Sequence, residues 1–147
     1  MTTSIVILIV LLLAPSAFAD DESSRARLMG KWQQSDGNGA SKFTWALAGA
    51  GDSIRVTNSN GTQTVAEFEC GTMGKNCAIK DAGRPSTVSL WFNGAKLVEL
   101  ETRGARIVKR RFCITGDGET MELETIPIVP AGKSEITHFK RAPVIGK

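Results

Sequence analysis

The sequence predicts an all-β protein in which eight to ten antiparallel strands form an up-and-down meander that closes into a barrel. Four β-prone runs between residues 86 and 126 are separated by three short turns, each of which contains glycine. Asn93-Gly94 is the strongest hairpin signal, because tight turns need positive φ angles that these two residues tolerate. No gap has room for a crossover helix, so neighbouring runs must be antiparallel. Closure into a barrel removes the two long unpaired edges that a flat sheet would leave.

Ten runs along the chain fit this meander. Apolar and polar side chains alternate along most of them, as expected for strands with one buried face. The runs are residues 28–34, 41–48, 53–57, 62–69, 78–80, 86–92, 95–102, 105–115, 119–126 and 134–141. We expect residues 20–27 to form a loose polar segment, with at most one helical turn within residues 21–29. The side chains predicted to face the interior are Val88, Leu90, Phe92, Val98, Leu100, Val108, Phe112, Ile114, Met121 and Leu123.

The N-terminus predicts export. Residues 4–14 are almost wholly apolar, and residues 17–19 have the small-x-small pattern of a secretory cleavage site. The apolar run is too short to span a bilayer. We therefore expect a signal peptide over residues 1–19 and a single domain over residues 20–147. A periplasmic or secreted location follows, with no stable membrane insertion after cleavage.

The charge of the chain argues against a nucleic-acid partner. Eighteen Lys and Arg residues against 15 Asp and Glu residues leave a net charge of +3, and the charges are interspersed. A nucleic-acid-binding domain would carry a concentrated basic surface. Six Phe and three Trp residues with no Tyr also provide no stacking platform for single strands.

Two short motifs at the ends of the domain resemble the lipocalin superfamily. Gly30-Lys31-Trp32 lies on the first strand, and Lys140-Arg141 ends the last one. In lipocalins the tryptophan of a Gly-x-Trp motif closes one end of the barrel, and a basic side chain of the last strand packs across its ring. The resemblance implies these structural roles here. A cation over an indole face contributes about 0.5–2 kcal/mol.

The domain as a whole is similar to small secreted bacterial lipocalin-like proteins. The similarity rests on a Gly-Lys loop, a Thr-Val-Ser-Leu strand, an Asp-Gly-x-Thr turn and an aromatic–basic pair on the last strand. These lie at residues 74–76, 86–90, 115–121 and 139–141. The Thr-Asp-Tyr motif of typical lipocalins is missing, so their ligand chemistry does not transfer. The resemblance implies a calycin-type barrel.

Three cysteines in an exported chain leave one over. Cys70 and Cys77 enclose a short flexible loop that can bring them within bonding distance. This disulfide would stabilise the domain by about 2–3 kcal/mol. The competing pairing uses Cys113, which would otherwise be a free thiol on the same strand face as Lys109 and Arg111.

No catalytic, metal or cofactor site is predicted. His138 is the only histidine, and neither a nucleophile for it nor a zinc-ligand spacing is evident. Three pairs of glutamates two residues apart resemble a hydrolase dyad, but each lies opposite the apolar set. Cross-strand charge pairing on the outer wall is therefore their expected role. The pairs are Glu67 and Glu69, Glu99 and Glu101, and Glu122 and Glu124.

Arg110 is an exception to the alternation, because it shares a face with Val108 and Phe112. A guanidinium on the inward face must be paired, hydrated or bound to an anion. The alternative is a β-bulge at residues 109–111 that turns the side chain outward.

These observations predict that the barrel binds a small ligand without catalysing a reaction. The ligand is partly apolar or amphipathic, and an anionic ligand is one alternative. The predicted ligand contacts are Trp45, Trp91, Phe92, Arg110, Phe112 and Met121. A barrel filled by its own side chains would have no pocket. The alternative function is binding of a protein partner, because the domain also resembles bacterial metalloprotease inhibitors whose N-terminal arm, here residues 20–28, enters the protease. An enzyme that uses Cys113 or His138 is a third alternative.

Overall fold

A computed structural model describes residues 17–35, 41–81 and 84–143. All ten strands of this part belong to one antiparallel sheet with the order β4-β3-β2-β1-β10-β9-β8-β7-β6-β5. The predicted up-and-down meander is confirmed, because every ladder except that between β1 and β10 joins consecutive strands. The elements are α1 (Ala17–Leu28), β1 (Gly30–Ser35), β2 (Ser41–Ala50), β3 (Ser53–Asn60), β4 (Gln63–Gly71), β5 (Met73–Asp81), β6 (Arg84–Asn93), β7 (Lys96–Arg103), β8 (Arg106–Ile114), β9 (Thr120–Val129) and β10 (Glu135–Arg141).

The barrel closes in two different ways. The first and last strands form a regular ladder in which Trp32 pairs with Arg141. Within the described residues, no ladder joins β4 to β5. A disulfide between Cys70 and Cys77 crosses this seam, with a Cα–Cα distance of 5.8 Å. The predicted pairing is therefore confirmed, although the two cysteines lie on neighbouring strands and not in a loop.

Helix α1 covers one end of the barrel, which we call the helix end. The expectation of a loose segment over residues 20–27 is wrong, because the barrel holds this segment in place. Arg25 Nε donates a hydrogen bond to the Gly94 carbonyl over 2.9 Å, and Leu28 is fully buried. Among residues 17–35, 41–81 and 84–143, no helix is both long and apolar enough to cross a membrane. Residues 1–16 lie outside the described part, so the signal peptide stays a prediction.

Trp32 and Arg141 form the plug between helix and barrel. The indole of Trp32 is fully buried, and its Nε1 donates a hydrogen bond to the Leu28 carbonyl over 2.9 Å. The Arg141 guanidinium carbon lies 4.2 Å from the centre of the indole. A Cβ at Gly30 would lie 2.8 Å from Arg141 Nη1, so the glycine makes room for the guanidinium. Lys140 is exposed and donates to Thr120 Oγ1, so Arg141 is the side chain that covers the indole.

The strand register corrects the predicted faces of β7. Phe92 pairs with Leu97, and Leu90 pairs with Glu99. The inward face of β7 therefore carries the odd-numbered residues, and Val98 and Leu100 point outward. The prediction for these two residues, and for Glu99 and Glu101 on the outer wall, is wrong. In a two-residue hairpin, paired residues have opposite parity, so the even inward residues of β6 require odd ones on β7.

The helix-end half of the barrel is a solid hydrophobic core. Phe112 and Met121 are fully buried there, beside Trp32. The ring of Trp45 packs edge to face against that of Phe112, with 5.1 Å between the ring centroids. Trp45 lies at the boundary of this core, on the side away from helix α1. Burial of such large apolar side chains supplies most of the stabilisation of a small domain. The other buried side chains of this core include Leu28, Leu47, Ile54, Val56, Leu90, Leu97, Leu123 and Phe139.

Candidate functional site

The opposite half of the barrel, which we call the open end, contains a cavity of about 190 Å³. Apolar side chains from β2, β4 and β5 line one part of it, namely Trp45, Phe68 and Ile79. Charged side chains from β7 and β8 line another part. The complete lining is Trp45, Asn58, Val65, Ala66, Phe68, Ile79, Glu99, Glu101, Arg103, Arg106, Val108, Arg110 and Thr125. The cavity is therefore amphipathic, and the alternative of a barrel filled throughout is wrong.

Arg110 points into the barrel and pairs with two carboxylates. Its Nη1 donates hydrogen bonds to Glu99 Oε1 over 2.6 Å and to Glu101 Oε2 over 2.5 Å. The guanidinium carbon lies 5.8 Å from the centre of the Trp45 ring. The outward-turning bulge at residues 109–111 is wrong, because the register shift of β8 against β9 falls between Ile107 and Val108. Arg110 thus has protein partners and still borders the cavity.

The two carboxylates differ in their electrostatic surroundings. Burial raises the pKa of Glu99, which is only 1% exposed, and the opposing effects of Arg110 and, to a smaller extent, Arg103 do not compensate fully. Burial also acts to raise the pKa of Glu101, but hydrogen bonds and charges from Arg110 and Arg103 outweigh it, so this pKa is lowered. Burial opposes the charge of Arg110, yet the two carboxylates raise its pKa. Arg110 and Glu101 are therefore charged at neutral pH, and Glu99 is the group that gains a proton most readily.

Two buried oxygen atoms at the cavity have no hydrogen-bond partner within the described chain. They are Glu99 Oε2 and Asn58 Oδ1. Buried polar atoms of this kind are normally satisfied, so these two oxygens are exceptions among the residues that line the cavity. Sequence analysis missed Asn58 as a lining residue, although it lies on the same face of β3 as Val56 and Ile54.

The six predicted ligand contacts separate into four groups. Trp45 and Arg110 line the cavity, as expected. Phe112 and Met121 do not line the cavity, because both are fully buried in the helix-end core. Phe92 lies at the helix end, with the Arg25 guanidinium 4.7 Å from its ring centre. Trp91 is adjacent to Phe92 on β6 and therefore faces outward, so its predicted place in the lining is wrong.

The other two glutamate pairs take part in charge pairing on the outer wall. Arg55 Nη2 lies 3.0 Å from Glu69 Oε2, and Arg111 Nη1 lies 3.1 Å from Glu124 Oε2. The predicted role is confirmed for these two glutamates. Exposed pairs of this kind contribute little to stability, typically about 0.2–1 kcal/mol.

Cys113 and His138 lie on the outer wall with Glu122 between them. Glu122 pairs with Cys113 on one side and with His138 on the other, and His138 Nε2 lies 3.2 Å from Glu122 Oε1. A nucleophile needs its base within hydrogen-bond reach. Here the carboxylate separates the thiol from the imidazole, so the arrangement does not activate Cys113. Within the described ranges, no group of three or more His, Cys, Asp or Glu side chains is placed to hold a metal ion.

The segment predicted to act as an N-terminal arm is part of helix α1. Arg141 Nη2 donates a hydrogen bond to the Arg27 carbonyl over 2.7 Å, and Leu28 is buried. The described portion of residues 20–28 is therefore held against the barrel and is not an extended arm.

Comparison with solved structures shows which known folds the chain resembles. A secretory abundant heat soluble protein from Ramazzottius varieornatus aligns with a TM-score of 0.66 at 10% identity over 79% of this chain and 96% of that one. A Schistosoma mansoni fatty acid binding protein in complex with arachidonic acid aligns with 0.65 at 16% identity over 82% and 99%. The fluorescent protein UnaG aligns with 0.59 at 15% identity over 80% and 98%.

No protein-family profile matches the chain, and no curated protein sequence matches it either. At 10–16% identity, the structural similarity concerns the fold and not the ligand. The aligned part covers 96–99% of the length of these structures. The chain has an antiparallel β-barrel fold similar to that of the Schistosoma mansoni fatty acid binding protein.

Proposed function

We propose that this protein binds, without catalysing a reaction, a small molecule that has an apolar part and an anionic group. The proposal rests on the position of Arg110, whose charged side chain borders a cavity that is lined in part by apolar side chains. Both of its hydrogen bonds to described side chains are made by Nη1. Its remaining donors are therefore available to a carboxylate or a similar anion, which arginine binds well.

The size of the cavity limits the ligand. Its volume of about 190 Å³ lies below the range of roughly 300–1,000 Å³ that is usual for small-molecule pockets. The solid core below Trp45 prevents a long chain from reaching the helix end. The ligand is therefore shorter than the arachidonic acid held by the Schistosoma mansoni protein, or it leaves part of its length outside the barrel.

The distribution of side chains also orients the ligand. Its apolar part contacts Trp45, Phe68 and Ile79, and its anionic group approaches Arg110. Three arginines and two glutamates line the cavity, which gives it a positive balance. An anion is therefore attracted to it, even though two of these charges are neutralised by the glutamates.

The test uses decanoate, titrated into the purified domain and followed by calorimetry and native mass spectrometry. We expect one decanoate to bind per chain, and Arg110→Gln to weaken binding by about tenfold or more, as for loss of a charge-assisted contact. Arg111→Gln is the matched control, because Arg111 is the next residue on the same strand and pairs with Glu124 outside. It should leave the affinity unchanged.

A second variant tests the cavity without changing its charge. Ala66 lines the cavity, and Ala66→Phe should fill it and abolish decanoate binding while circular dichroism stays that of a β-barrel. Absence of decanoate binding to the unaltered domain, or equal effects of the Arg110 and Arg111 substitutions, would contradict the proposal.

Export to an oxidising compartment is part of the proposal. The apolar run at residues 4–14, the small-x-small pattern at residues 17–19 and the Cys70–Cys77 disulfide support it. Removal of residues 1–19 would leave the described contacts of Arg25, Arg27 and Leu28 in place. We expect the intact mass of the exported protein to correspond to a chain that begins at Asp20. A mass that includes residues 1–19 would contradict a cleaved signal peptide.

A further inference from the structure

The pairing around Arg110 leaves one carboxylate oxygen without a partner. Glu99 Oε1 accepts the hydrogen bond from Arg110, whereas Glu99 Oε2 is buried at the cavity and has no partner among the described residues. Glu101 differs, because it contacts both Arg110 and Arg103. Glu99 is therefore the less well compensated of two carboxylates that share one guanidinium nitrogen.

An anionic ligand would add a third negative charge to this cluster. Arg110 and Arg103 are the cations that contact the two glutamates, and Arg106 is a further cation of the lining. The side chains that face the cluster from the other described strands, Trp45, Asn58 and Thr125, carry no charge. Although the lining as a whole carries three arginines, the Arg110 guanidinium would then be shared by three carboxylates, and the added negative charge would disfavour ionisation of Glu99, whose Oε2 has no partner among the described residues.

We infer that binding of an anion in the cavity takes up one proton from solvent, and that Glu99 receives this proton on Oε2. This inference rests on the proposed function. The proton comes from water or buffer, no bond of the protein or ligand is broken, and the net charge of the cavity is unchanged by binding. Protonation removes the charge from a buried carboxylate whose Oε2 has no partner among the described residues.

The raised pKa of Glu99 supports this assignment over Glu101, whose pKa is lowered. An anion close to Glu99 raises its pKa further, because like charges disfavour ionisation. Binding and protonation therefore favour each other. Where Glu99 is ionised in the free protein, the dissociation constant of an anion should increase as the pH rises.

Calorimetry of decanoate binding in pairs of buffers with different ionisation enthalpies measures the proton uptake directly. Between about pH 5 and pH 9 we expect uptake to approach one proton per decanoate at the upper end, with a dissociation constant that rises by up to about tenfold per pH unit. Glu99→Gln should remove the uptake and the pH dependence, and should bind decanoate more tightly than the unaltered protein at the highest pH. Decanol, which carries no charge, should bind with no proton uptake.

Glu124→Gln is the matched control, because Glu124 pairs with an arginine on the outer wall, and this variant should keep the full uptake. Circular dichroism checks that each variant folds. If decanoate binds without proton uptake across the whole pH range, or if Glu99→Gln retains the uptake, the inference is wrong and the proposed function stands. If decanoate does not bind at all, the proposed function fails and the inference fails with it.

Discussion

The two halves of the barrel interior use the same strands for different purposes. At the helix end the inward side chains are large and apolar, such as Trp32, Phe112 and Met121, and all three are fully buried. At the open end the inward side chains are a mixture of apolar and charged groups, and they surround a cavity. Closure of the barrel and burial of the Trp32 indole therefore use only the helix-end half of the interior. The open-end half can carry a binding site.

The substitution with the largest expected effect compares packing at the helix end of the barrel with packing at the open end. Phe112→Ala should destabilise the domain by about 3–5 kcal/mol, because it leaves a void in a packed core. Phe68→Ala removes the same ring from a side chain that is only half-buried and borders the cavity, so its cost should be less than half as large. Urea unfolding followed by circular dichroism measures both. Equal costs would show that the two halves are packed alike.

The charged cluster of the open half should also be costly to break. Arg110→Met leaves Glu99 and Glu101 without their shared partner, and we expect a loss of about 3 kcal/mol at neutral pH, reduced somewhat by the exposed fifth of the Arg110 side chain. The loss should shrink as the pH falls, because protonation neutralises Glu99, whereas Glu101 keeps its contact with Arg103. Arg111→Met is the outer-wall control and should cost less than about 1 kcal/mol. A loss that does not depend on pH would contradict this account.

The seam between β4 and β5 provides a third test. Replacing Cys70 and Cys77 together with serine should lower the free energy of unfolding by about 2–3 kcal/mol, as expected for a disulfide that closes a short loop. Amide hydrogen exchange should increase more in β4 and β5 than in β1 and β10, where a ladder closes the barrel. A reducing agent should destabilise the unaltered protein and leave the double variant unaffected.

Removing the cation of the Trp32–Arg141 plug should lower the free energy of unfolding by less than each of the three principal substitutions described above. Arg141→Met removes the contact with the Trp32 ring and the hydrogen bonds to the helix carbonyls, and should cost about 1–2 kcal/mol. Lys140→Met, on the neighbouring exposed residue, should stay within about 0.5 kcal/mol of the unaltered protein. Thermal unfolding compares the two variants, and equal effects would remove the special role of Arg141.

The smallest effect concerns the turn between β8 and β9. The Thr115 hydroxyl and the backbone N–H groups of Glu119 and Thr120 donate hydrogen bonds to Asp117, and they hold the pKa of this carboxyl far below its usual range. A lowered pKa means that the stabilisation is present above the unfolded pKa of about 4 and is lost as the pH falls. Asp117→Asn should therefore flatten the acid limb of a plot of melting temperature against pH. An unchanged acid limb would contradict this role.

Local signals were sufficient for much of the fold. Glycine-containing turns and period-two alternation predict ten consecutive antiparallel strands, and the structure confirms them. The same alternation placed Arg110 inside the barrel. Helix α1 was missed because its sequence, AFADDESSRARL, is mainly polar and lacks an apolar stripe. Its position comes from contacts with distant turns, which include the Gly94 carbonyl and the Arg141 guanidinium.

The sequence alone determined the strand order and the presence of an inward arginine, because these depend on turn chemistry and on side-chain parity along single strands. The contact between Trp32 and a basic residue of the last strand was implied by the resemblance to lipocalins. Only the tertiary structure decided which half of the barrel is filled, that Glu99 and Glu101 lie beside Arg110, and which aromatic side chains reach the cavity. Those features depend on register across several strands at once and on how side-chain volumes add up inside a closed barrel, which no single segment specifies.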